Sequence, residues 1–181
     1  MASGFQRAKI QAMFDAFDAD GNGYLEEGDF AALAARWGRL PRVAASPELA
    51  GRVRSVTLGW WPHLAEAADA DLGGRVGMDE LMTVVDRLPL MREAVAATAD
   101  TIFDAVDENG DGRISRVEHQ RLIDTWYGRS TVTGEVFDRL DQDGDGYLSR
   151  AEFALLWTQF WISDDPAEPG NVMCGPITPA A

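Results

Sequence analysis

Residues 141–152 read DQDGDGYLSRAE, and the fold of the whole chain turns on how this stretch is understood. Asp141, Asp143 and Asp145 alternate, Tyr147 and Ser149 continue the alternation, and Glu152 closes the run. In a tightly wound loop, alternate residues turn their oxygens inward. Positions 1, 3, 5, 7, 9 and 12 then surround a hard cation that takes six to eight oxygen ligands, with Tyr147 offering its main-chain carbonyl at position 7. Gly146 at position 6 permits the sharp bend, because a residue without Cβ takes positive φ at little cost. Phe137 and Leu140 before the loop, with Phe153, Leu156, Trp157 and Phe160 after it, have the apolar spacing of two helices. Asp and Gly also crowd into ordinary surface turns. Such a turn, however, requires neither a carboxylate at position 12 nor apolar stripes on both sides.

A helix, an oxygen-lined loop and a second helix make a calcium-binding hand of the EF-hand pattern, and the pattern recurs upstream. Residues 107–118, DENGDGRISRVE, are a full match: Asp107, Asn109 and Asp111 at positions 1, 3 and 5, the Arg113 carbonyl at 7, Ser115 at 9 and Glu118 at 12. This loop has three carboxylates against four in the last one, so somewhat weaker binding is expected. Residues 18–29, DADGNGYLEEGD, place Asp18, Asp20 and Asn22 at 1, 3 and 5, the Tyr24 carbonyl at 7, Glu26 at 9 and Asp29 at 12. Asp29 is one methylene shorter than glutamate. Bidentate closure therefore needs the exit helix to come closer, and the cage is expected to be smaller, nearer octahedral and more tolerant of Mg²⁺. Glu26 has the length to compensate by reaching the metal directly.

Residues 69–80, DADLGGRVGMDE, form a damaged fourth copy in which Asp69, Asp71 and Glu80 survive, while Gly73 and Gly77 supply no side-chain oxygen. Two missing ligands and a costly-to-order glycine loop predict no bound metal at ordinary calcium levels. A structural reason to retain this hand is visible at position 8. Leu25, Val76, Ile114 and Leu148 are all apolar there, as a short antiparallel bridge between paired loops requires.

The third and fourth loops begin at 107 and 141, 34 residues apart; the first two begin at 18 and 69, 51 apart, so the first pair holds an insertion or longer helices. The expected fold is all-α, four hands in two pairs. Residues 1–89 form the first pair, 90–162 the second and 163–181 a tail, with Pro89 marking the boundary because it disfavours helix at the residue before it. The tail mixes acids and prolines with Val172, Met173, Cys174 and Ile177, a composition compatible with a free end or with docking on the core. His119 follows Glu118 where the other hands place Phe30, Leu81 and Phe153, which predicts a packed, hydrogen-bonded histidine.

The net charge is −14, from 30 acids and 16 bases. Fourteen of the acids stand at ligand positions of the four loops, so the remainder balance the bases and the acidity belongs to cation sites. With no basic patch, nucleic acid is excluded as the expected partner. No His/Cys cluster, nucleophile motif or phosphate loop appears, so no enzyme is expected. The opening MASGFQRAKI lacks the apolar run of a signal peptide, and no segment has the length and apolarity to span a bilayer. The expectation is a monomer in the cytoplasm. A single cysteine excludes an internal disulfide, and the fifteen-to-one excess of arginine over lysine suggests a GC-rich, bacterial coding genome.

With four hands, an impaired second loop, Asp29 closing the first and a proline-containing tail, the chain resembles the sarcoplasmic calcium-binding proteins, in particular bacterial members of the calerythrin type. The resemblance implies a compact globule in which both pairs face one core. It also implies three Ca²⁺ ions, in the first, third and fourth loops, and a role as calcium buffer or signal modulator. A calcium sensor that exposes an apolar groove for a protein partner is the alternative, but the six methionines are scattered rather than gathered on one face. The same group includes luciferin-binding proteins, so an interior small-ligand site is the remoter alternative. Having only two histidines, His63 and His119, argues against a catalytic cavity of that kind.

Overall fold

Several helices start where a side chain satisfies their free backbone N–H groups. The computed structural model describes residues 3–67 and 74–177. The first helix, α1 (Gly4–Phe17), is capped by Ser3, whose Oγ accepts from the Gln6 N–H at 3.2 Å. After the first loop comes α2 (Glu27–Trp37), then the short α3 (Pro41–Ala45) with proline at its first position, and the long α4 (Pro47–Ala67). The extra length between the first two hands lies in α3 and α4. The second hand exits through α5 (Met78–Val85), and a 3₁₀ turn at Leu88–Met91 containing Pro89 leads into α6 (Arg92–Val106).

The second pair continues with β1 (Arg113–Ser115), α7 (Arg116–Tyr127), the five-residue α8 (Val136–Leu140), β2 (Tyr147–Ser149) and α9 (Arg150–Ile162). Ser115 and Ser149 cap α7 and α9, and each is answered three residues later by the loop's closing glutamate, a reciprocal capping box. One S-x-x-E spacing thus supplies both the helix start and the loop's last two ligand positions. Gly128, at φ 66°, ends α7 in the left-handed conformation.

The apolar position-8 residues pair as their spacing predicts. Ile114 faces Leu148 in an antiparallel register that also pairs Arg113 with Ser149 and Ser115 with Tyr147. In the first pair the bridge is Leu25 with Val76, whose N–H and carbonyl groups exchange bonds of 2.8 and 3.0 Å. All four side chains are fully buried.

A single hydrophobic core runs through both pairs. Phe17 of α1 stacks obliquely on Trp126 of α7 at 4.9 Å, and Trp126 in turn meets Trp157, Phe160 and Trp161 of α9 at about 6 Å. Arg36 of α2 ties the C-terminal carbonyls of two helices together, donating to Ala16 O at 3.0 Å and to Trp126 O at 2.9 Å. Packing of this kind makes the chain a compact globule with its loops on the outside.

The tail, undecided in the sequence, is buried against this core over residues 170–175. Val172, Met173 and Cys174 are buried, and Gly170 lies so close to α9 that a Cβ there would stand 2.4 Å from Leu156 O. Two buried side chains, Lys9 and His119, reach it. Lys9 Nζ donates to Ser163 O at 2.6 Å and Asn171 Oδ1 at 2.9 Å, and His119 Nε2 lies 2.9 Å from Met173 O. Burial pulls the His119 pKa down to about 4, so the ring is neutral and its Nε2–H donates to the carbonyl.

Candidate metal centres

The three complete loops share one internal hydrogen-bond ladder, which aims their oxygens. The position-1 carboxylate reaches the position-6 glycine N–H in each: Asp18 to Gly23 at 2.8 Å, Asp107 to Gly112 at 3.1 Å, Asp141 to Gly146 at 2.9 Å. The position-3 side chain accepts from the position-5 N–H: Asp20 from Asn22, Asn109 from Asp111 and Asp143 from Asp145, at 2.9 to 3.1 Å. The position-5 side chain accepts from the position-7 N–H: Asn22 from Tyr24, Asp111 from Arg113 and Asp145 from Tyr147, at 2.8 to 3.0 Å. Gly23, Gly112 and Gly146 have φ of 83°, 81° and 86°, so each bend needs a residue without Cβ.

Closure differs among the hands. Asp29 accepts from Ala19 N at 3.0 Å and Glu26 N at 2.8 Å, and its oxygens gather with those of Asp18 and Asp20 within 4.8 Å. Asp141, Asp143 and Asp145 gather within the same span, while Glu152 accepts from Ser149 N at 2.8 Å. Glu118 bridges its loop's ends, accepting from Glu108 N at 2.9 Å and Ser115 N at 2.8 Å. Among the described residues, the carboxylates of the third loop do not close to 4.8 Å. At that separation each pair of charges repels by roughly 1 kcal/mol even at the dielectric constant of water. Such a cluster of hard oxygens fits a divalent cation that relieves the repulsion, and burial of Asp29 raises its pKa in the same sense.

Asp69, Asp71 and Gly73, on which the expectation of a silent second loop rests, lie outside the described residues. Glu80 of that loop accepts from Gly77 N at 2.6 Å.

Two features escaped the reading of the loops alone. Position 7 pairs arginine with tyrosine across each bridge: Arg75 lies over the Tyr24 ring at 5.6 Å, and Arg113 over Tyr147 at 4.2 Å. This was readable, since both pairs show the same complementarity at the same position. Arg75 also pairs with Glu26 at 2.7 Å, so the position-9 side chain of the first loop has a cation to leave before it turns to a metal. The second feature is Arg42 of α3, whose Nη1 stands 3.0 Å from Asp107 Oδ2, and no local sequence signal announces it.

The geometry agrees with comparisons to known proteins. Models described as EF-hand domain pairs match residues 97–158 and residues 1–36 with 72–118. Over 111 residues the chain is 28% identical to the sarcoplasmic calcium-binding protein alpha chain of Penaeus vannamei. This chain is an EF-hand protein, and it is similar to sarcoplasmic calcium-binding proteins. The alignment of this EF-hand protein with the shrimp relative covers 58% of each chain, so it spans less than two thirds of that relative's length. Among solved structures, it is similar to a calcium-binding protein of Streptomyces coelicolor, with 23% identity, a TM-score of 0.70, and coverage of 87% of this chain and 98% of the other. The amphioxus sarcoplasmic calcium-binding protein superposes with a TM-score of 0.68 at 19% identity, covering 97% of this chain and 99% of that one. Among the described residues of this EF-hand protein, no helix is long and apolar enough to cross a membrane.

Proposed function

We propose that the protein binds Ca²⁺ reversibly through its first, third and fourth loops and serves as a calcium buffer or signal modulator in a bacterial cytoplasm. The observation that carries this reading is the convergence of three carboxylates to within 4.8 Å in both the first and the fourth loop, each around a glycine bend. The ligands are Asp18, Asp20, Asn22, Tyr24, Glu26 and Asp29 in the first loop, and Asp107, Asn109, Asp111, Arg113 and Glu118 in the third. The fourth uses Asp141, Asp143, Asp145, Tyr147 and Glu152. Binding replaces hydration oxygens by carboxylates and relieves their repulsion, and three ions would take the formal charge from −14 to −8. Mg²⁺ competes chiefly in the first loop, where the shorter Asp29 closes the cage. The protein acts as a monomer and without catalysis, its pairs spanning residues 1–89 and 90–162 with the tail at 163–181.

The buffer reading is favoured over the sensor by how the interior is closed. The tail is held by buried Lys9 and His119, and of the large apolar side chains exposed among the described residues only Leu90 and Met91 share an element, the 3₁₀ turn, while Val117, Val132 and Leu155 stand apart. A sensor must uncover a continuous groove. A calcium titration in millimolar-scale Mg²⁺ with a hydrophobic dye present tests the choice. Three ions bound with flat or falling dye emission support the buffer, and emission rising with calcium supports the sensor. Failure to bind any ion refutes both.

One observation favours a small-ligand site. An apolar cavity of about 60 Å³ is lined by Trp37, Trp60, Trp126, Trp157 and Trp161, and the buried indole N–H groups of Trp126 and Trp161 have no acceptor among the described residues. That volume admits a few waters rather than a polycyclic molecule, so the cavity ranks behind the loops.

A further inference from the structure

The third loop carries a partner that the other two complete loops lack. Arg42 belongs to α3, in the connection between the first and second hands, yet its Nη1 donates to the main-chain carbonyl of Asp107 at 2.5 Å and lies 3.0 Å from Oδ2 of the same residue. The guanidinium crosses the loop over Gly110, where a Cβ would stand 3.7 Å from Nη2. Asp107 is 2% exposed, so the pair is shielded from water on the carboxylate side. Asp18 and Asp141 hold the same loop position, and among the described residues neither has a cationic side chain within 4.0 Å. The third loop also has Asn109 at position 3, where the first and fourth have Asp20 and Asp143.

We propose that Arg42 sets the affinity of the third loop: its guanidinium competes with the divalent cation for the charge of Asp107 and ties that site to α3. The proposal rests on calcium binding as read above. An ion bonded to Asp107 at the usual calcium–oxygen distance of about 2.4 Å lies on the order of 5 Å from a guanidinium nitrogen. Two cations so placed repel across a partly dry gap, and they share one carboxylate. At the position-1 carboxylate, which every hand needs, the cost falls on the third loop alone; the first loop's paired cation sits at the peripheral position 9 instead. Coupling is reciprocal: metal in this loop weakens the hold of Arg42 and loosens α3, a segment outside every hand. The Arg42 side chain is 34% exposed, so the freed guanidinium has water to enter.

The position-6 glycine amides, each bonded to its own loop's first carboxylate, report the three sites separately in a ¹⁵N-resolved titration of the full chain with calcium. With Arg42→Gln, the Gly112 midpoint is expected to move to roughly tenfold lower calcium, equivalent to about 1.4 kcal/mol. Gly23 and Gly146 should stay within about twofold. Arg42→Lys keeps the charge and should restore most of the wild-type midpoint. The gap between wild type and Arg42→Gln should narrow as salt rises, since the pair is partly open to solvent. Hydrogen exchange at Val43 to Ala45 should quicken when calcium fills the wild-type loop. A Gly112 midpoint that is unchanged or moves to higher calcium in Arg42→Gln would overturn the proposal, the latter showing that Arg42 organises the site. Calcium-dependent shifts at Gly23 and Gly146 in the same experiment keep the binding function standing if only this inference fails. No shift at any of the three amides sinks both.

Discussion

Lys9 offers a quantitative test of how the two ends of the chain are joined. Its side chain is 1% exposed, its Nζ donates to Ser163 O and Asn171 Oδ1, and the rings of Phe5 and Phe160 lie 5.7 and 5.8 Å away. The titratable groups facing it are Asp164 and the Cys174 thiol. Burial dominates and brings the lysine pKa from 10.5 down to about 8, although Asp164 and Cys174 pull upward. Between pH 8 and 10.5 the unfolded chain therefore holds a proton that the folded one has released, and stability rises with pH. Integrating from pH 8 to 9 gives a gain of about 1 kcal/mol. Cys174 acts in the opposite sense: burial raises its pKa well above 9.0, so ionisation favours the unfolded state and removes a few tenths of a kcal/mol over the same window. Tyr127, pushed up to about 12 by burial, affects only more alkaline solutions. Cys174→Ala isolates the lysine. In saturating calcium, its urea midpoint should rise by roughly 0.5 M between pH 8 and 9, taking a slope near 2 kcal/mol per molar. The double variant with Lys9→Met should show no such rise. Identical pH dependence in the two proteins would mean that the ammonium is solvated and that the tail does not enclose it.

Glu152→Gln removes the closing carboxylate of the fourth loop and should reduce the calcium stoichiometry by one in calorimetric titration while the Gly23 amide still responds; unchanged stoichiometry contradicts the ligand assignment. Asp29→Glu lengthens a side chain that is 5% exposed, so the first loop should lose part of its Mg²⁺ tolerance. The Gly23 calcium midpoint should then shift less on adding Mg²⁺ than in the wild type, and an equal shift refutes the role given to the shorter residue. Leu148→Ala empties a fully buried position in the bridge between the third and fourth loops and should cost about 3 kcal/mol. For a chain of this size that lowers the melting temperature by about 6–12 °C; a loss under about 1 kcal/mol would place Leu148 outside the cooperative core.

Loop geometry was legible because every proposed ligand of a hand lies within twelve consecutive residues. Spacing alone then sets which oxygens point inward, and the capping serine and closing glutamate of the third and fourth hands are encoded three positions apart. The position-8 residues were readable for the same reason, since an apolar residue between polar ones at a loop's end has one buried partner available. His119 was legible as a packed histidine from its register with Phe30, Leu81 and Phe153, but its acceptor, the Met173 carbonyl, was not.

Local order in the chain was enough to specify the helices, the bends and the candidate donor atoms, because each depends on residues a few positions apart, and the recurrence of an apolar position 8 in every loop announced the bridges. Folding in three dimensions decided the rest: that Phe17 of α1 meets Trp126 of α7, that the tail lies over Lys9, and that Arg42 reaches a carboxylate 65 residues away. Contacts of that kind arise from how whole helices pack. Packing depends on the summed shape of many side chains, which no single stretch of sequence carries.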